Sequence, residues 1–531
     1  MGRSKKVSFS TPTKLLLCAV FICFVFYPFL QMVLNITKAD FTGVINSATF
    51  VPAIVNSLKT ALITTCISVP LGLTLALCVQ RTRIRGKGLL SILLILPMLI
   101  SSISHGMGLV VLFGTNGIIK NLLGLENTIY GFTGIIAGSV LYSYPVSFLM
   151  FNDVLKYQDS SPYEAAMVLG ISKLRQMLII TLPYLVKPLI SAIFTVFTMV
   201  VTDYGVPLMI GGRTTTLAVV MYQEVLGQLN FGKGSVVGLF LLIPTVISFV
   251  VNCIIKNRSK MSYVTKPFYF KKNLARDGLA YTFCGLVLFC IFCLFGAFFL
   301  IAFTVKYPSN TTFTFANVGK MFALRGGTFL VNSLIISVFV SFFGVVIAYT
   351  TAYLTARMPS RLSSVLHLFP ITSLAIPGIV LGLSYALTFS GSFLYGTLAI
   401  LILVNVMHFI ASPYQMMYNS LCKMNGNLES VGRTLGIGRM RMIFGVIIPQ
   451  CRATIIEMAT YFFVNSMMTI SAVSFLANAT TKPLSLLISQ FEGQALFECA
   501  SVVSLCILFI NILVKSTAYL INNRTNSRIT N

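Results

Sequence analysis

Apolar runs of about twenty residues recur from one end of the chain to the other, separated by short polar turns. About twenty residues is what a helix needs to cross the hydrocarbon core of a bilayer. The pattern predicts spans near 15–34, 54–78, 89–113, 131–151, 180–204 and 234–255, and a second set near 280–305, 330–354, 363–388, 394–417, 446–475 and 497–514. Polar residues interrupt the fifth and eleventh. Membrane β-strands alternate over about ten residues with polar lumen positions, and no such alternation is present. The expected fold class is all-α integral membrane, with about twelve transmembrane helices. The first run follows Lys5, Lys6 and Lys14 but lacks a small-residue cleavage site, so it reads as an uncleaved span rather than a signal peptide.

Composition agrees with this. Hydrophobic residues make up 56% of the 531 and charged residues 9%, with a mean hydropathy of +0.90, whereas soluble domains carry roughly 25% charged residues. The net charge of +26 suggests nucleic acid until its distribution is followed. With both termini placed in the cytoplasm, 29 of the 38 Lys and Arg fall on cytoplasmic segments, including Arg81, Arg83, Arg85 and Lys87 in one short turn and seven between Lys256 and Arg276. That bias is the positive-inside signature of a multi-pass cell-membrane protein. Attraction to the anionic lipid bilayer accounts for the charge, and no nucleic acid partner is implied. Most of the twelve cysteines lie inside apolar runs; Cys290 and Cys293 have CxxC spacing mid-span without a second pair, and packing residues are the preferred reading over a metal site.

The chain repeats itself. Asn56-Ser57-Leu58 opens the second span and Asn332-Ser333-Leu334 the eighth, 276 residues later; Arg81 and Arg357 close those spans at the same offset, and Pro97 and Pro370 are placed alike in the third and ninth. Six spans per half make two parallel six-helix repeats about an axis along the membrane normal. Residues 1–255 form the first unit, 256–277 a basic cytoplasmic linker and 278–531 the second unit.

A second correspondence carries the candidate chemistry. After the fourth span comes Ser161-Pro162-Tyr163-Glu164-Ala165-Ala166, then Leu169-Gly170-Ile171, Lys173, Arg175 and Pro183. After the tenth comes Leu428-Glu429-Ser430-Val431-Gly432, then Leu435-Gly436-Ile437, Arg439, Arg441 and Pro449, all at an offset of 266. Each stretch reads as a short amphipathic helix, a glycine break and a basic second helix returning to the membrane. Pro162 suits a helix's first turn and Glu164 its positive end, Ala165 and Ala166 leave a flat surface, and Gly170 and Gly436 are able to take the positive φ that redirects the chain. An exposed loop helix of this form suits a cytoplasmic partner; a loop lying on lipid headgroups is the plainer alternative, which the duplication argues against.

At these residues the chain resembles the permease components of binding-protein-dependent ABC importers (type I, MetI-like), whose signature is EAA, three variable residues, then Gly. The resemblance covers nearly the whole chain, and two fused units are similar to the ferric-iron, thiamine, 2-aminoethylphosphonate and polyamine permeases. It implies the type I ABC importer transmembrane fold, with the loop as a coupling helix docked in a cytoplasmic ABC ATPase dimer, and an extracytoplasmic substrate-binding protein delivering the solute. The residues implied in coupling are Glu164, Ala165, Ala166, Gly170, Lys173 and Arg175, and in the second copy Glu429, Ser430, Gly432, Gly436, Arg439 and Arg441. That copy departs from the signature: Ser430 stands where Glu164 does, Val431-Gly432 replaces the alanines, and Glu429 is displaced by one position.

No Gly-x-x-x-x-Gly-Lys-Ser/Thr occurs, so the chain is read as a transport subunit rather than an enzyme, binding no cofactor itself while the partner ATPase uses ATP. Arg175 and Arg441 either steady the docked helix ends or snorkel to lipid phosphate. Ionisable residues within spans point to function. Asp203 and Tyr204, with Thr469 and Ser471 in the second half, are candidates for the translocation route; capping or pairing at the outer interface is the alternative for Asp203. Glu457 is expected to pair with Arg452 in its own helix. His105, His367 and His408 have no ligand spacing, so no metal site is expected. An ion-gradient-driven secondary transporter of twelve spans shares the hydropathy but lacks a reason for the paired loops.

Overall fold

The structure is a computed structural model that describes residues 10–36, 41–156, 158–256 and 273–530. The linker 256–277 falls largely outside them. Nine helices among the described residues are long and apolar enough to cross a membrane: Thr11–Asn35, Phe50–Arg81, Ser102–Leu123, Phe132–Lys156, Met177–Thr202, Phe231–Val251, Leu274–Ala302, Gly326–Ala356 and Phe497–Asn522. Three more spans are bent pairs, Arg361–Ala375 with Gly378–Phe389 at 106°, Leu398–Phe409 with Ala411–Lys423 at 52°, and Arg439–Gln450 with Arg452–Met468 at 76°, which brings the total to twelve. The only strands among the described residues, Thr304–Lys306 and Asn310–Phe313, pair antiparallel between the seventh and eighth spans.

The third and ninth spans break alike. Lys87–Leu94 passes through a tight turn at Leu96–Leu99 into Ser102–Phe113, and Arg361–Thr372 through Ser373–Ala375 into Gly378–Phe389. Pro97 lies in the tight turn of its span but Pro370 lies inside the helix before it. The two prolines are therefore not equivalent, and the offset of 276 that joins Ser102 to Gly378 is the true register.

Three π-helical turns, Ile22–Phe26, Met177–Thr181 and Ile443–Ile447, each end two residues before a proline: Pro28, Pro183 and Pro449. Proline lacks an N–H and its ring crowds the carbonyl four residues back, and a wider turn relieves that clash. The carbonyl four residues before Pro28, that of Phe24, accepts a hydrogen bond from the Tyr385 hydroxyl at 2.5 Å.

That bond crosses between the repeats. The first span packs on the second half, with Phe21 and Phe24 against Phe369 and Phe389 (ring centroids 6.1 and 6.3 Å) and the Lys14 ammonium donating to Met358 O and Ser360 Oγ at 2.7 and 3.0 Å. The seventh span returns the exchange. Its Tyr281 hydroxyl accepts from the Arg85 N–H at 2.8 Å, and Leu294 sits so near Gly108 that any side chain there would strike it. Within each half small residues let helices approach, as membrane packing requires: a Cβ on Gly72 would come 2.7 Å from the Phe148 backbone nitrogen.

The repeated Asn-Ser pair is a structural pin. The Ser57 hydroxyl accepts the Leu217 N–H and the Ser333 hydroxyl the Leu484 N–H, both at 2.7 Å. Asn56 and Asn332 donate to the Thr215 and Thr480 carbonyls at 3.1 and 2.8 Å. Each half thus fastens the loop after its fifth helix to the start of its second.

Candidate functional site

The two loop helices fold as the sequence predicts. Ser161–Val168 and Leu428–Thr434 form the first arms of two elbows, and each ends on a left-handed glycine, Gly170 at φ +68° and Gly436 at φ +69°. The next N–H reaches back five residues, Ile171 to Ala166 O at 3.0 Å and Ile437 to Gly432 O at 2.8 Å, which closes the helix end by the Schellman pattern. A Cβ at either glycine would meet nothing within 4 Å. Backbone conformation, and not lack of room, is what requires glycine.

Both elbows present apolar side chains outward. Met167, Val168 and Leu169 are 64, 89 and 75% exposed, and Val431, Leu435 and Met440 are similarly bare. Exposed apolar surface of this kind occurs at protein and membrane contacts alike. Glu164 stands exposed beside the first ridge, its carboxylate accepting from Ser160 Oγ at 2.9 Å. Ala165 faces out while Ala166 is buried; in the second copy Ser430 and Val431 face out, and Gly432 is buried where a Cβ would meet the Met442 methyl. The larger side chain at 442 fills the space that the Ala166 methyl takes in the first half. Arg175, Arg439 and Arg441 are exposed on the second arms. Lys173 opens the helix Lys173–Gln176, and its side chain lies outside the described residues.

Glu429 does not face outward. Its carboxylate forms a two-pronged ion pair with Arg357, Nε to Oε1 at 2.7 Å and Nη2 to Oε2 at 2.5 Å, and Arg357 also donates to the Leu421, Met424 and Asn425 carbonyls. Burial alone pushes the Glu429 carboxyl up, but the hydrogen bonds and charge of Arg357 outweigh it and hold the group below its usual value; the bond to Glu429 raises Arg357 in turn. At the offset of 266, Glu429 corresponds to Tyr163 and not to Glu164. Tyr163 receives Arg81 in the same way: Nη2 donates to its hydroxyl at 3.1 Å and the guanidinium lies 4.8 Å from its ring centroid. Arg81 also donates to Gln158 Oε1, whose amide donates to the Tyr163 hydroxyl at 2.9 Å, and that hydroxyl meets Thr181 Oγ1 at 2.6 Å. Sequence reasoning paired Arg81 with Arg357 as a mark of the repeat but missed their partners. The signal available was one acceptor-bearing side chain, Tyr163 or Glu429, at the same place in each elbow.

The candidates for a route come together where the halves meet. Asp203 Oδ1 and Oδ2 accept the Gly205 and Val206 N–H groups at 3.3 and 3.0 Å, so the carboxylate caps the short helix Gly205–Ile210. Gly205 packs against Ser102, which begins the helix after the break in the third span, and against Ile470 of the second half. The buried Tyr204 stacks on Tyr222 at 4.8 Å and its hydroxyl bridges to Ser474 Oγ of the other half at 2.5 Å. Thr469 ends the helix Arg452–Met468, and Ser471 lies against Gly378. The expected pair of Glu457 with Arg452 is absent among the described ion pairs. No cluster of three or more His, Cys, Asp or Glu suited to a metal occurs among the described residues.

The chain is similar to known proteins over most of its length. A putative ferric transport system permease protein of Haemophilus influenzae is 27% identical over 493 residues, covering 88% of this chain and 78% of that protein. A ferric transport system permease protein of Actinobacillus pleuropneumoniae is 26% identical over 433 residues, covering 78% and 63%. A molybdenum transport system permease protein of Azotobacter vinelandii is 30% identical over 176 residues, less than one repeat, covering 32% of this chain and 78% of that one. The model of one family matches twice, at 68–261 and 343–527, once in each half. The chain belongs to the binding-protein-dependent transport system inner membrane components, as a permease with two such units in one polypeptide.

Proposed function

We propose that the chain is the membrane-spanning core of an ABC importer for a solute of the ferric-iron class. A separate ATPase dimer grips the two elbows on the cytoplasmic side; the halves rock about their pseudo-twofold axis as it closes on ATP, exchanging outward for inward access. The observation that carries this reading is the pair of matching elbows, each closed by a left-handed glycine and each showing an apolar ridge beside charged residues. Ferric iron is favoured because the relatives spanning most of the chain are named ferric permeases. The binding protein delivers the solute, and the chain itself needs no cofactor. Asp203, Tyr204, Thr469 and Ser471 line the route at the meeting of the halves, near mid-membrane, where substrate sites of repeat-built transporters lie.

Proteoliposomes carrying the chain, its ATPase and a ferric-loaded binding protein test this. ATP-dependent iron uptake, abolished by Gly170→Pro, is expected. Uptake driven by an ion gradient without the ATPase would instead favour a secondary transporter. Labelling of residues around Gly170 and Gly436 from the outer face would overturn the assignment.

A further inference from the structure

Each elbow is joined by the chain to two spans only, the first to the fourth and fifth, the second to the tenth and eleventh. On the return side that junction runs through a π-helical turn, Met177–Thr181 or Ile443–Ile447, so a push on the elbow reaches the fifth or eleventh span through an interruption of the regular α-helix. The second and eighth spans, the longest helices of their halves before the twelfth, are not attached to an elbow through the chain at all.

These spans pack on the elbow-bearing fourth and eleventh, and the arginines add a direct bond to the elbow itself. Arg81 is the last residue of Phe50–Arg81 and Arg357 directly follows Gly326–Ala356, and each guanidinium reaches a buried or half-buried residue of the elbow's first turn. Arg357, its side chain 6% exposed, is held by Glu429 and three carbonyls; Arg81 is held by Tyr163 and Gln158. Beyond the arginines each rod is keyed to a neighbour. Gly72 of the second span packs against the Ser147–Phe148 backbone of the fourth, and Ser341 Oγ of the eighth donates to Ala459 O of the eleventh at 2.9 Å.

We propose that Arg81 and Arg357 are positioning residues that transmit elbow movement into the second and eighth spans, so that each half moves as one body during transport. The two couplings differ in kind. The first joins a cation to a phenol ring and an amide, and the second is a two-pronged ion pair, the stronger and more directional bond. The displaced glutamate of the second elbow is thus not a degraded signature residue. It replaces Tyr163 as the internal anchor, and the outward-facing position is left to Ser430. This rests on the elbows being the ATPase contact, but it concerns what lies behind them.

The test is coupling, measured as solute taken up per ATP hydrolysed in the reconstituted complex, alongside ATPase retention in a pull-down. Arg357→Ala and Glu429→Gln are expected to keep the ATPase bound and turning over while uptake per ATP falls about tenfold, the scale of a typical coupling between sites. Arg357→Lys, which keeps charge but loses the fork, falls between. The exchange Arg357→Glu with Glu429→Arg recovers part of the loss, which a merely structural defect in either single variant does not. Wild-type uptake per ATP in Arg357→Ala overturns the proposal. So does loss of ATPase binding in proportion to uptake without recovery in the exchange, since the arginine then only shapes the docking surface. Failure of the wild-type chain to retain any ATPase is a different result and counts against the elbow assignment itself.

Discussion

Replacing Gly170 by alanine isolates one physical quantity. A Cβ at this position meets nothing within 4 Å, so no steric clash enters, and the whole cost is that of holding an L-residue at φ +68°. That cost is roughly 1–2 kcal/mol, and asparagine, which tolerates the left-handed region better, should cost less. If the ATPase binds only the closed elbow, 1–2 kcal/mol lowers the closed-to-open ratio by a factor of about 5–30, and the competent fraction, hence apparent affinity, by up to that factor. The series Gly170→Asn, →Ala, →Val should weaken ATPase retention and solute uptake in that order, by titrating the ATPase onto the reconstituted chain. Gly436 has the same φ and the same open surroundings, so the parallel series there should give the same ranking, and the double alanine variant should lose about the product of the single effects. Equal binding by glycine, alanine and valine at both positions would refute the argument that backbone geometry sets the docking surface.

Three further outcomes are expected. Ser57→Ala and Ser333→Ala each strip the acceptor from a buried N–H, of Leu217 or Leu484, and should lower the unfolding temperature in detergent by an amount equivalent to about 1–3 kcal/mol each. At the meeting of the halves, Ser474 Oγ donates to Ile470 O at 2.5 Å, which makes Tyr204 the donor in their shared bond; Ser474→Ala, which strands a buried hydroxyl, should destabilise more than Tyr204→Phe when thermal melts are compared. Glu429 is held below its usual carboxylate value, so its contribution is fully present above the unfolded value of about 4.3 and is lost as pH falls through the lower folded value. Hydrogen exchange should therefore show the second elbow loosening on strong acidification before the first, whose anchor carries no carboxylate, with no difference near neutrality.

The spans and their duplication were legible because hydropathy acts over twenty residues at a time, and the elbow was legible because glycine at a helix end has one main use. Asp203 shows the limit of that reading. Its position near the end of a polar-interrupted span singled it out, but that its carboxylate caps the short helix Gly205–Ile210 depends on how the chain turns after Thr202, which no local pattern states. The pairing of Pro97 with Pro370 failed for the same reason: two prolines at similar spacing bear differently on a helix according to where the next turn of backbone is satisfied. Arg81, Tyr163, Arg357 and Glu429 were each visible singly. Their association joins residues 72–82 positions apart, and only packing reveals it.

The exchange of first spans between the repeats has a consequence for how such a chain is made and how it changes over generations. Each half completes its wall with a helix borrowed from the other, so the two interlock whether or not a peptide bond connects them. Severing the backbone between the units should leave a pair that still copurifies and still works. What fusion adds is composition: every assembled transporter receives one of each half, never two alike. That constancy frees the second half to diverge, and a glutamate in place of a tyrosine at its elbow is the kind of private change such an arrangement can retain.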